Sequence, residues 1–190
     1  MNIISGYAPQ TGCSEEEKEN FRSELEELIQ GVPSGESVIV GADLNCHMGE
    51  SNTGFEDVHE GKGFGKRNEE GESMLETIER TDMFVANTGF QKKEEHKITY
   101  KSGEVCSQVD YILVRRREKW RVRDAKVIPG DCVVAQHRLL VADYKLDHST
   151  KKKREKRDVE RIRIWKLAEK REEFREECMR EYGEMRGYTQ

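Results

Sequence analysis

Val38-Ile39-Val40-Gly41-Ala42-Asp43-Leu44-Asn45 reads as a short apolar strand that runs out into a carboxylate and a carboxamide. β-Branched residues favour a buried extended segment, and the carboxyl ends of strands are where open sheets present ligand-binding groups. Residues at i and i+2 of an extended backbone face the same side. Asp43 and Asn45 are therefore expected to share one small site. There the carboxylate can take a proton from water, and the carboxamide can donate a hydrogen bond to an oxyanion. The plainer reading is that an Asp and an Asn simply open a turn.

On the N-terminal side, Asn2 to Tyr7 reads as a first buried strand, followed by the loop Ala8-Pro9-Gln10-Thr11-Gly12. Ser14 and Glu17 have the capping-box spacing, and Phe21, Leu25, Leu28 and Ile29 recur at helical intervals until Val32-Pro33-Ser34-Gly35 stops them. Strand, helix, strand implies a crossover and two strands that lie parallel or near one another in a sheet. Residues 42 to 71 are a Gly- and Glu-rich loop, and Met74, Leu75 and Ile78 mark a second helix. Short β-rich runs follow at 83–86, 97–101, 108–114, 121–128 and 139–146. The class is α/β or α+β with a sheet-rich second half.

One of those runs, Gln108 to Val114, carries Asp110 amid apolar neighbours. An unpaired buried carboxylate is costly. His137, in Ala135-Gln136-His137-Arg138-Leu139, is a natural partner, because a working histidine is commonly oriented by a carboxylate. Taken singly, Asp110 could cap a backbone amide and His137 could be surface decoration. Gly61-Lys62-Gly63-Phe64-Gly65-Lys66 lacks Walker spacing and reads as flexible loop. Cys46-His47 has no matching second pair for zinc, which favours a packing or loop role.

Taken together, Ile4-Ser5-Gly6-Tyr7-Ala8-Pro9-Gln10, Gly41 to Asn45, Asn68 with Gly71, Thr99-Tyr100, Gln108 to Val114 and Gln136-His137 form an ordered set. In order and spacing it resembles the endonuclease/exonuclease/phosphatase superfamily. Within it, the resemblance is greatest to the endonuclease domains of non-LTR retroelements and the craniofacial development protein 2-like proteins derived from them. The resemblance implies a four-layered α/β sandwich that cleaves phosphodiesters, usually of DNA, with Mg²⁺ or Mn²⁺. By motif, Tyr7 would contact the phosphate, Asp43 would orient or deprotonate the attacking water, and Asn45 would hold the scissile phosphate. Asp110 would orient His137, which would stabilise negative charge on the phosphoryl oxygens. Asp43, Asn45 and His137 would be the residues near the metal.

Two departures from that pattern shape the expectations. The superfamily places an Asn and a metal-binding Glu on strands before the Tyr motif, and this sequence opens at that motif, so the sandwich is expected to be incomplete. The usual Ser-Asp-His reads Ala135-Gln136-His137. A neutral amide is a weaker partner for a hard cation, so weak Mg²⁺ binding and weak activity of the truncated chain are expected. The rival reading is a catalytically dead remnant that binds nucleic acid or protein.

The chain has 190 residues, with 33 basic and 38 acidic; residues 151–190 hold 14 and 10 of these, so net charge is −9 before residue 151 and +4 after it. The acidic body argues against strong nonspecific DNA affinity by residues 1–150 alone. The domain is expected at residues 1–148, with a basic linker and charged helical tail at 149–190. Lys151-Lys152-Lys153-Arg154-Glu155-Lys156-Arg157 reads as a linker, an import signal or a phosphate-contacting arm, and the tail helix as a surface for a protein partner. No apolar run approaches the roughly 18 residues of a membrane span. The five cysteines are scattered and odd in number, which suits a reducing compartment. DNA, and less directly RNA, is the expected substrate, and the location intracellular, nuclear or cytoplasmic rather than secreted.

Overall fold

The computed structural model describes residues 1–134 and 136–146. The basic linker and the charged tail helix expected over 149–190 lie outside the described residues. Among the described residues eight strands form two four-stranded sheets. The first sheet has the order β1 (Asn2–Tyr7), β2 (Val38–Asp43), β6 (Asp110–Arg115), β3 (Met83–Val85). The second runs β5 (Val105–Ser107), β4 (Tyr100–Ser102), β8 (His137–Tyr144), β7 (Val122–Val134). Strands β1 and β2 are parallel, joined through α1 (Glu15–Gly31), whereas β6 runs antiparallel to both β2 and β3. Helix α1 begins where the sequence predicts: Ser14 Oγ accepts from Glu17 N–H, and the Glu17 side chain reaches back to the Ser14 backbone. Helix α2 (Glu69–Arg80) is capped by Asn68, whose Oδ1 accepts from Gly71 N–H at 2.9 Å.

Alternation along the strands divides the first sheet into two faces. Val38, Val40, Ala42, Tyr111 and Leu113 pack with Leu25 and Ile29 of α1 and Met74, Leu75 and Ile78 of α2. On the other face Val114 and Phe84 join Val122 of β7, with Ile39, Ile112 and Tyr144 against them. That second cluster is the contact between the two sheets. Residues 44–68 form a long connection, as expected, but it is packed rather than open: Met48, Val58 and His59 are fully buried. Gly63 lies so close to Gly49 that a Cβ there would meet its carbonyl oxygen at 2.0 Å. Lys62 and Lys97 donate to the carbonyls of Gly89 and Gly63, so Gly63 serves close packing, whereas Gly61 and Gly65 take left-handed φ of 72° and 75°.

Candidate active site

Three of the predicted residues stand in one row. Strand register places Tyr7 beside Asp43 and Asp43 beside Asp110 across β1, β2 and β6. Alternation puts Ile39 and Asp43, like Ile112 and Asp110, on the face turned toward the second sheet. His137 meets the row from β8. Its Nδ1 lies 3.1 Å from Asp110 Oδ2, and its Nε2 lies 3.9 Å from Asp43 Oδ2. Asn45 reaches the same place by a different route from the one the sequence suggested. Strand β2 ends at Asp43 and Asn45 takes a left-handed φ of 47°, its N–H donating to Asp43 Oδ1 at 3.0 Å. The turn and the shared site are thus one feature. The Asn45 side chain donates to Ala8 O at 2.8 Å, which ties the end of β2 to the end of β1.

Tyr7, Asp43, Asn45 and His137 line a cavity of about 390 Å³ together with Gln10, Tyr100 and Gln136. Gln10 Nε2 donates to Tyr7 Oη at 3.0 Å, which occupies an acceptor site of the phenol and leaves its proton for another partner. Tyr7 is 62% exposed. A second cavity of about 480 Å³ reaches Asp43 and His137 from between the sheets, past Ser5, Gly41, Ile112 and Leu140.

Burial pushes the Asp43 carboxyl above its usual range, helped by the Asp110 charge and opposed by the Asn45 N–H and by His137. Asp43, Asp110 and His137 each offer one ligand atom, all within 4.8 Å of one another. Two carboxylates and an imidazole are a donor set that fits a divalent cation retaining several waters. Asp110, expected only to orient His137, thereby joins the cation-capable group. Cys46 is buried, and burial holds its thiol far above the ordinary value, so it is a packing residue and not a thiolate ligand.

Sequence reading gave no role to three supports of this site. Thr99, with 0% exposure, accepts at Oγ1 from the N–H of Val109 (2.9 Å) and of Asp110 (3.0 Å), fixing the start of β6. Asn68 Oδ1 also accepts from His47 N–H at 3.0 Å, so the cap of α2 anchors the chain just beyond Asn45. Tyr111 Oη donates to Gln108 O at 2.8 Å and accepts from Met48 N–H at 3.1 Å beneath the same segment. For Tyr111 the signal was a hydroxyl inside an apolar run; Thr99 and Asn68 stand near charged residues, and nothing in any of the three settings indicates which backbone group would be satisfied.

No family model matches the chain. A relative from Bos taurus, craniofacial development protein 2, is 28% identical over 148 residues, 77% of this chain and 25% of that protein. The chain thus spans about a quarter of the length of the curated relatives it matches. Among solved structures it is similar to an AP endonuclease from Archaeoglobus fulgidus, with a TM-score of 0.55, 18% identity, and 76% of this chain and 61% of that one covered. It is also similar to a 3'-5' exonuclease, NExo, from Neisseria meningitidis, with a TM-score of 0.50, 12% identity, and 69% and 54% covered. The two mixed sheets and these likenesses agree: the chain has a mixed α/β fold of the endonuclease/exonuclease/phosphatase type.

Proposed function

We propose that this chain is a phosphodiester-hydrolysing domain of retroelement descent, acting on DNA with the help of a divalent cation. The observation that carries the reading is the convergence of Asp43, Asp110 and His137, from three strands far apart in sequence, on one point, where Asp43 and His137 line a polar cavity beside Tyr7. Asp43 is the general base: its partly buried, proton-retentive carboxylate takes the proton of a water attacking phosphorus. As the new P–O bond forms and the bond to the departing sugar oxygen breaks, that oxygen is protonated from solvent. His137, with Nδ1 held at Asp110, faces the cavity with Nε2 and stabilises negative charge on the phosphoryl oxygens. Tyr7 donates to a phosphate oxygen, and Asn45 sets the position of the scissile group. Held at the Asp43 and Asp110 carboxylates beside His137, a divalent cation would supply charge neutralisation on the phosphate.

Among the described residues this cluster has two carboxylates and no glutamate. Mg²⁺ dehydrates reluctantly and asks for well-placed anionic oxygen, so the activity is slow and Mn²⁺ supports it better. The test is nicking of supercoiled plasmid by the full chain with each ion, against Asp43→Ala. Slow nicking that falls by about 100-fold or more in the variant is expected. DNA binding without nicking, equal in both proteins, would overturn the enzyme reading in favour of a binding remnant.

A further inference from the structure

Gln136 takes a φ of 81° in the connection between β7 and β8, a left-handed conformation uncommon outside glycine, Asn and Asp. Its polar groups are committed to one neighbour. Its Oε1 accepts from Tyr100 Oη at 3.1 Å, its Nε2 donates to Ser102 Oγ at 2.9 Å, and its backbone oxygen accepts from Lys101 N–H at 2.9 Å. Three consecutive residues of β4 are thereby clasped from a single turn. Tyr100 is the cross-strand partner of His137. Directly opposed residues share a face and touch, and here the two rings meet edge to face, with centroids 5.0 Å apart and planes at 70°. The preceding residue, Thr99, accepts Arg138 N–H at its carbonyl at 2.8 Å and holds the Asp110 N–H at its hydroxyl. The first residue of β4 therefore braces the His137 ring, and Thr99, just before the strand, braces the Asp110 backbone.

We propose that Gln136 is a positioning residue: its carboxamide fixes the Tyr100 ring, and that ring holds the His137 imidazole in the plane that faces Asp43 and Asp110. The amide suits this task because it can accept from one hydroxyl and donate to another at once. The inference rests on the nuclease reading only for the use to which His137 is put; the clasp itself is geometry. Partners of this kind outside the reacting shell are worth about 10- to 100-fold in activity.

The experiment records the ring C–H signals of histidine by NMR at one fixed pH in the full chain, with His137→Gln to assign His137, in Gln136→Ala, Tyr100→Ala, Tyr100→Phe and Gln136→Glu. The His137 signals are expected to move in Gln136→Ala and Tyr100→Ala. They should stay nearer the native position in Tyr100→Phe, which keeps the ring, and in Gln136→Glu, which keeps an acceptor for the Tyr100 hydroxyl. In the nicking assay kcat should fall by about 10- to 100-fold in the two alanine variants, with KM for DNA little changed. Tyr100→Ala removes a ring current and moves the signals in any case, so Gln136→Ala decides: His137 signals that coincide with the native ones there, in a protein whose other histidine signals show it folded, would overturn the proposal. So would loss of nicking through KM alone, which would make Gln136 a substrate contact. If the native chain nicks nothing, the nuclease reading fails while the spectra still decide the clasp.

Discussion

Asp43, Asp110 and His137 were each ambiguous alone in the sequence, and what made them legible was their combination with the Tyr7 motif in a fixed order. Gln136 and Thr99 were not legible in role, because a side chain that satisfies a backbone or a neighbouring hydroxyl leaves no periodic trace. His59 is a further such case. It is wholly buried, its Nδ1 accepts from Gly61 N–H at 3.0 Å, and burial, with the Arg67 charge second, lowers its pKa to about 4. The folded state thus takes up the proton later than the unfolded chain, whose histidine titrates near 6.5. Stability is complete above that value and is lost as pH falls from about 6.5 toward 4, by on the order of 3 kcal/mol in all. Urea unfolding at pH 7, 6 and 5 should show this loss beginning well above the carboxylate range. His59→Asn, which retains an acceptor for Gly61, should flatten it.

At the scale of elements, apolar spacing and caps identified α1, α2, β1, β2 and β6, but three features escaped it. Strand β5 is three residues long and has no pattern to read. Strand β7 was expected to stop before Pro129-Gly130, yet it continues to Val134, with a register shift between Val127 and Cys132 and φ of 93° at Gly130. An irregularity in the pairing absorbs the two residues that would break a regular strand. The third is Gly71 inside α2. Helix propensity alone predicts that Gly71→Ala stabilises by about 1 kcal/mol. In the structure its Cβ would meet His47 O at 2.0 Å and His47 C at 2.5 Å, backbone that cannot rotate away. The substitution is therefore expected to destabilise, by about 1–3 kcal/mol, seen as a lower urea midpoint. A rise would mean that the 46–48 segment yields, and with it the support beneath Asn45.

Over the whole molecule the two sheets meet along part of their length, and β1 stands at the edge of its sheet with no neighbour beyond it among the described residues. Ile3 on that edge is 71% exposed. Edge strands with apolar side chains pair readily with other chains unless a charge discourages it. The chain is accordingly expected to associate as its concentration rises, and Ile3→Lys should reduce that association in light scattering without altering the unfolding free energy by more than about 0.5 kcal/mol. No helix among the described residues is long and apolar enough to cross a membrane.

The row Tyr7, Asp43, Asp110 imposes a parity rule on change in this protein. A strand sends alternate residues to opposite faces, so one residue inserted between Val38 and Asp43 would turn the carboxylate toward the helices and bring Ala42 to the cavity. Two inserted residues would restore the face but carry it roughly 7 Å along the strand, past its partners. Length can therefore drift in the connections, whereas within β1, β2 and β6 neither odd nor even insertions leave the site assembled. Lineages that keep the chemistry should vary these strands by replacement alone.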